Sequence, residues 1–141
     1  MTKIILRRPL AYRVIVTEQF RQEMGEELQR AADEVQAQLE QLDFQSRRYL
    51  LELQKTNLSQ AIAARDEIEK EKRKQQRIRE EILNRKKQIG EMQDGESFLR
   101  GTLEGTVEAS VGDNLRNLLS GAEIVVKDDL IVEIKDGREN G

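Results

Sequence analysis

Between Thr17 and Met92, apolar residues recur at steps of three and four, the spacing that places them on one face of a helix. This stretch contains no proline, and Thr17 is a suitable N-cap at its start. The three-and-four spacing of apolar residues is interrupted near Asn57, where an uncharged segment contains capping and turn residues. The pattern therefore predicts two long helices, 17–55 and 60–93, joined by a tip at 56–60.

The apolar positions of the two predicted helices match each other when the chain doubles back about Asn57. In this antiparallel register Val35 lies level with Ile78. Residues 17–55 carry nine acidic and five basic groups, whereas 65–87 carry ten basic and six acidic groups. Because these halves attract each other, we predict an antiparallel coiled-coil hairpin. An antiparallel dimer that exchanges its helices satisfies the same pattern, so both arrangements stay open.

Several positions of this predicted interface are not aliphatic. Tyr49 falls on it in the first helix, and Glu71 and Arg85 fall on it in the second. The same register places Asp43 level with Lys70. We expect the long polar side chains to extend from the interface to solvent.

The two ends of the chain have strand patterns. Tyr12–Thr17 is typical of a strand, with Pro9 suited to a strand start or edge. The C-terminal region predicts a partly alternating segment at 98–111, with bends or bulges at its glycines, and a β-hairpin turning at Asp128 and Asp129. Gly101 and Gly105 lie within this segment, and Gly112 directly follows it.

A lone N-terminal strand needs partners, because isolated strands are marginal in water. We therefore predict that 1–16 joins a β module at 96–137, with the hairpin at 17–93 between them and a disordered tail at 138–141. The predicted fold class is α+β: a long antiparallel coiled-coil helical hairpin on a small β-sheet or open barrel built from both termini.

Composition narrows the chemistry that is available. The chain has no cysteine and no histidine, which removes thiolate and imidazole catalysis and the usual transition-metal ligands. The acidic residues Asp128, Asp129, Glu133 and Asp136 do not follow the EF-hand spacing and are better explained as a solvated turn. We predict no enzyme activity, no cofactor and no metal site.

The N-terminus also lacks the features of a targeting segment. Residues 1–16 carry four basic groups and no acidic ones, without the apolar core of a signal peptide. No run approaches the roughly 18 apolar residues of a membrane span. We expect a cytoplasmic protein with no membrane partner.

Two surfaces are candidates for binding. Apolar residues near the tip could contact a protein partner: Leu50, Leu51, Leu53 and Leu58. Basic residues could contact a nucleic acid: Arg7, Arg8, Arg13, Lys72, Arg73 and Lys74. The basic helix 65–87 contains no aromatic residue for base stacking, and solvated coiled-coil flanks explain its charges better.

We therefore favour a structural or interaction protein that uses a coiled-coil arm to contact an unidentified protein. Self-association as a homo-oligomer is expected as well, since the predicted helix interface is narrow. The alternative is an RNA- or ribonucleoprotein-binding protein that uses the basic helix or the N-terminal arginines.

The order of these elements resembles the YlqD family of bacterial proteins. The resemblance rests on the C-terminal segments GTLEGTVEASVGDNL and AEIVVKDDLIVEIKDG, and on the long helical stretch that precedes them. It implies a bacterial cytoplasmic protein with this arrangement of strands and helices. The family brings no established activity and no catalytic residues to this sequence.

Overall fold

The computed structural model describes residues 2–136. These residues form four strands and three helices. In chain order they are β1 (Lys3–Ile15), α1 (Glu18–Thr56), α2 (Leu58–Gly90), β2 (Ser97–Ser110), α3 (Leu115–Leu119), β3 (Ala122–Lys127) and β4 (Leu130–Asp136). The α+β class is confirmed, with a helical hairpin and a sheet built from both ends of the chain. The tail predicted at 138–141 lies outside the described residues.

The chain divides into two compact units. Among the described residues, the sheet unit comprises 2–21 and 92–136, and the hairpin unit comprises Gln22–Glu91. In the sheet unit the described strands have the order β2-β1-β3-β4. The strand β1 pairs antiparallel with β2 and parallel with β3, and β3 pairs antiparallel with β4.

The first strand is longer than its sequence pattern indicated. It begins at Lys3 instead of Tyr12, and Pro9 lies inside it. β1 pairs with β2 along its whole length but with β3 only over Leu10–Val14. Pro9 therefore lies where β1 has one strand partner, and a missing backbone N–H is tolerated there.

The predicted β-hairpin between β3 and β4 is confirmed. Asp128 and Asp129 both have positive φ, 47° and 70°, as a type I′ turn requires. The Thr17 hydroxyl donates a 2.6 Å hydrogen bond to the Asp128 carboxylate, and the Gln19 amide donates one of 3.4 Å to Asp129. The same Thr17 hydroxyl accepts from the Phe20 N–H, so Thr17 is the predicted N-cap of α1.

Val16 directly follows β1 and is fully buried. Its N–H donates to the Glu96 carbonyl at 2.8 Å, and its carbonyl accepts from the Gly95 N–H at 2.9 Å. The rings of Phe20 and Phe98 pack against each other, with centroids 5.4 Å apart. These contacts join the segment after β1 to the segment that enters β2.

A second apolar cluster lies under α3. Leu118 of this short helix packs on Val107 and Ala109 of β2, with Leu6 of β1 at its margin. Leu118 is 2% exposed. The cluster covers one part of the sheet, and large apolar side chains remain exposed elsewhere on it.

In the hairpin unit, α1 and α2 of one chain pair with each other. Asn57 separates them and caps α2 by accepting a 3.1 Å hydrogen bond from the Gln60 N–H. The Lys72 ammonium donates to Asp43 at 2.8 Å, and the Lys86 ammonium donates to Gln29 at 2.7 Å. The two helices therefore run antiparallel.

The predicted interface on α2 is wrong at two positions. Glu71 and Arg85 are exposed, whereas the residues that follow them, Lys72 and Lys86, are half-buried. Asp43 correspondingly pairs with Lys72 and not with Lys70. A lysine can occupy such a position because its aliphatic stem lies against the neighbouring helix while its ammonium binds an oxygen there.

Candidate functional site

The hairpin unit exposes large apolar side chains near its turn. Their exposed fractions range from 55% for Tyr49 to 67% for Phe44. We call this set the tip patch; its members are Phe44, Tyr49, Leu51, Leu58 and Ile62. In Gln22–Glu91, all of which the structure describes, no other large apolar residue is exposed. The exposed large apolar residues of the hairpin unit are thus confined to 44–62.

Helical geometry separates the leucines that were predicted as contacts. Leu51 and Leu58 are exposed, whereas Leu50 and Leu53 are half-buried. Leu50 and Leu53 follow the buried Ser46 by four and seven residues, so they share its face toward α2. Leu51 therefore lies on the outer face of α1, and Leu50 and Leu53 contribute to the helix interface.

Sequence reasoning missed three members of the tip patch. Tyr49 was assigned to the helix interface, a position that Leu50 occupies instead. Phe44 precedes Leu51 by seven residues and so lies on the same face of α1. This spacing was the available signal for Phe44. For Ile62 the signal was the three-residue step from Ala61 to Ala64, which leaves Ile62 outside the helix interface.

The aromatic members of the tip patch border a shallow groove on the outside of α1. Its volume is about 560 Å³. It is lined by Gln41, Phe44, Gln45, Arg48, Tyr49 and Glu52. The groove thus combines two aromatic rings with amide groups and one charge of each sign, a mixture typical of surfaces that bind proteins.

The charges around the tip patch are mainly basic. Residues 44–62 contain three basic groups, Arg47, Arg48 and Lys55, and one acidic group, Glu52. Arg47 lies 2.9 Å from Asp43, yet its side chain remains 77% exposed. Residues 44–62 therefore carry a net positive charge of two.

The basic residues of α2 are not equally accessible. The Lys72 side chain is 19% exposed, and its ammonium lies 2.8 Å from Asp43 and 3.7 Å from Glu69. Arg73 and Lys74 are exposed. Three residues of α2 were predicted to contact a nucleic acid. One of them, Lys72, instead joins the two helices.

The Lys72 contact makes the hairpin unit sensitive to acid. The hydrogen bond from Lys72, with a smaller attraction from Arg47, lowers the pKa of Asp43 below its usual value of 3.8. A carboxyl whose folded pKa is lowered stabilises the fold above its unfolded pKa, and this stabilisation is lost as pH falls through the folded pKa. We expect Asp43→Asn to destabilise the hairpin unit at neutral pH but to change little once the pH has fallen below the lowered pKa of Asp43. Thermal unfolding followed by circular dichroism across pH measures this difference, and an equal loss at both pH values would contradict it.

The N-terminal arginines also differ in exposure. Arg7 is exposed and lies 3.8 Å from Glu104. Arg8 is buried: its guanidinium donates to both carboxylate oxygens of Asp136, at 3.2 and 3.0 Å, and to the Leu118 carbonyl at 3.4 Å. The positive charge of Arg8 is therefore paired with the Asp136 carboxylate within the sheet unit.

Arg13 lies in a network of charges on the sheet. Its guanidinium donates to the Glu123 carboxylate, which also lies 3.5 Å from the Lys135 ammonium. Lys135 in turn lies 3.9 Å from Glu133. The network joins β1, β3 and β4, so Arg13, like Arg8, has partners within the chain.

Within residues 2–136 there is no cluster of metal-ligand side chains and no helix suited to crossing a membrane. Across this range, no three acidic side chains gather in an arrangement suited to holding a metal ion. Of the described helices α1, α2 and α3, none combines the length and the apolarity that crossing a bilayer needs.

Comparison with known proteins places the chain in a family. No curated protein matches it. A crystal structure of a protein of unknown function from Synechococcus sp. WH 8102 is similar, with 22% sequence identity, a TM-score of 0.82 and 96% of each chain covered. At this identity the likeness shows the fold. The family described as YlqD protein matches residues 4–135, nearly the whole chain, in agreement with the resemblance of the C-terminal segments. The chain therefore belongs to the YlqD family.

Proposed function

We propose that this chain is a non-enzymatic interaction protein whose tip patch binds a protein partner. The observation that supports the proposal most is the confinement of exposed large apolar residues in the hairpin unit to 44–62. A surface helix normally presents polar residues away from its packing face. The hairpin unit departs from this pattern only in 44–62, where the tip patch lies.

The energetics favour a binding role. Burying a large apolar side chain contributes roughly 1.5–3 kcal/mol relative to leaving it in water. Phe44 and Leu51 contribute nothing of this kind to the helix interface, because they lie on the opposite face of α1. A few residues that become buried on association, aromatic side chains and arginine foremost, supply most of the binding energy at protein interfaces.

The charges of the rim indicate the chemistry of the partner. Arg47, Arg48 and Lys55 favour an apolar surface with an acidic rim. A second copy is a poor occupant, because two tip patches would bring these basic groups against each other. We therefore propose a different protein, acidic around its binding surface.

Nucleic-acid binding has less support. Arg8, Arg13 and Lys72 have carboxylate partners within the chain. The exposed Arg7, Arg73 and Lys74 have no aromatic residue beside them in sequence. The experiment that follows therefore includes nuclease treatment, which reveals binding that depends on RNA.

A comparison of variants tests the proposal. The chain is immobilised and exposed to extract from the cells that make it, with and without nuclease. Phe44→Ser with Leu51→Ser is expected to reduce retention of the specific partner at least about tenfold, as loss of an interface anchor does. Leu99→Ser with Val111→Ser is the matched control, since both residues are exposed on the sheet unit.

The control is expected to retain the same partner as the native chain. Equal retention by both variants would contradict the proposal. Loss of all specific retention after nuclease treatment would favour the RNA alternative.

A further inference from the structure

We infer that β4 pairs with β4 of a second copy of this chain, which joins two four-stranded sheets across a two-fold axis. This surface lies in the sheet unit and is independent of the tip patch. The inference rests on three properties of β4: its place in the sheet, its exposed side chains and its charge pattern.

β4 lies at an edge of the described sheet. It pairs with β3 on one side and has no strand neighbour among residues 2–136 on the other. The outer edge of residues 130–135 therefore has no strand partner within the described residues, and such an edge can pair with another strand. Soluble proteins protect such edges with proline, with charges, with short strands or with β-bulges.

β4 has three charged residues and a register shift in its pairing with Val125 and Val126, yet its large apolar side chains are exposed. Within Leu130–Asp136 there is no proline, and the large apolar residues are between 55% and 71% exposed. These residues are Leu130, Ile131, Val132 and Ile134. An edge that is both unpaired and apolar is suited to association with another strand.

The charges of β4 identify a second copy as the occupant. In an antiparallel pair centred on Ile134, Glu133 of each chain lies opposite Lys135 of the other. Both side chains are more than half exposed, at 53% and 57%, although Lys135 also lies near Glu123. Opposite charges in directly facing positions stabilise an antiparallel pair. A parallel pair in register would place Glu133 against Glu133 and Lys135 against Lys135.

The arrangement closes after two copies. A two-fold pair uses the same strand on both chains, so no further edge of this kind remains. The opposite edge, β2, contains Gly101 and Gly105 and is less suited to pairing because glycine weakens a strand. We therefore expect a dimer and not a filament.

Single cysteines test the inference, since the chain has none of its own. In the proposed register the two copies of residue 134 face each other at a Cα separation of about 4.5–5.5 Å, which a disulfide can span. The two copies of residue 132 are offset by four residues, about 14 Å along the strand. Ile134→Cys is expected to form a disulfide-linked dimer on mild oxidation, whereas Val132→Cys is expected to remain largely unlinked.

The native chain is expected to sediment as a dimer. A monomer at every accessible concentration would overturn the inference, as would crosslinking at residue 132 that equals or exceeds crosslinking at residue 134.

Charge exchange tests the register with β4 otherwise intact. Glu133→Lys alone brings two lysines, the introduced one and Lys135 of the other copy, into facing positions and is expected to weaken the dimer several-fold. Adding Lys135→Glu restores opposite charges and is expected to recover dimerisation. Circular dichroism shows whether each variant is folded. A folded double variant that dimerises no better than Glu133→Lys would refute the register.

Discussion

Replacing Arg8 with Met is expected to lower the free energy of unfolding of the sheet unit by about 3–5 kcal/mol. The Arg8 and Asp136 side chains are 8% and 15% exposed, and two hydrogen bonds join them. Losing the guanidinium removes both of these bonds, the cation that compensates a largely buried carboxylate, and the donor to the Leu118 carbonyl. Because Arg8 lies in β1 and Asp136 ends β4, the loss is expected to affect strands from both ends of the chain.

Hydrogen exchange of the β1 and β4 amides measures this effect directly. Arg7→Met is the matched control, because Arg7 precedes Arg8 in β1 but its side chain is 79% exposed. We expect the control to change stability by less than about 0.5 kcal/mol. Arg8→Lys keeps the charge but loses the two-pronged geometry, so an intermediate effect is expected. Equal effects of Arg7→Met and Arg8→Met would show that the buried pair does not stabilise the sheet.

Gly121→Ala is expected to destabilise the sheet unit by about 2–4 kcal/mol. Gly121 has a φ of +84°, a conformation that L-residues adopt at a cost. A Cβ at this position would also lie 2.5 Å from the Pro9 carbonyl oxygen and 3.4 Å from Pro9 Cγ. Since Gly121 leads into β3 beside β1, the clash separates the two strands at the start of their parallel pairing.

Gly105→Ala provides the control for this prediction. Gly105 lies in β2, has no positive φ, and would place a Cβ with no atom within 4 Å. Its replacement is expected to change stability by less than about 1 kcal/mol. Denaturant unfolding followed through hydrogen exchange of β3 compares the two variants. Similar losses at Gly121 and Gly105 would contradict the argument from close approach.

Local pattern was sufficient for the main elements of the fold. The three-and-four steps predicted the helices, and the strand patterns around Asp128 and Asp129 predicted the β3–β4 hairpin. Asn57 marked the boundary between the helices because its side chain caps α2. In each case the physical cause lies within a few residues of its effect.

The features that sequence reasoning missed depend on distant partners. Arg8 is buried because Asp136, 128 positions away, lies beside it. Lys72 occupies the helix interface because Asp43 on the other helix accepts its hydrogen bond. Gly121 is constrained by Pro9. None of these pairs has a local signal, so each required the strand order or the helix register to be known.

The tip patch was predictable in part. Leu51 and Leu58 could be identified as apolar residues near the turn, but the separation of Leu50 from Leu51 needed the orientation of α1. A shift of one residue rotates a helical position by about 100°. That rotation is sufficient to exchange the assignments of Tyr49 and Leu50.

The most direct test of the proposed function is photo-crosslinking in the cells that make the protein. A photoreactive phenylalanine analogue replaces Phe44 or Leu51 in one set of variants, and Arg30 in the control. Arg30 is exposed on the same face of α1, about 21 Å before Phe44 along the helix. The expected result is one crosslinked protein, acidic around its binding surface, at Phe44 and Leu51 and not at Arg30. Equal crosslinking at Arg30, or crosslinks only to a second copy of this chain, would contradict the proposed role of the tip patch.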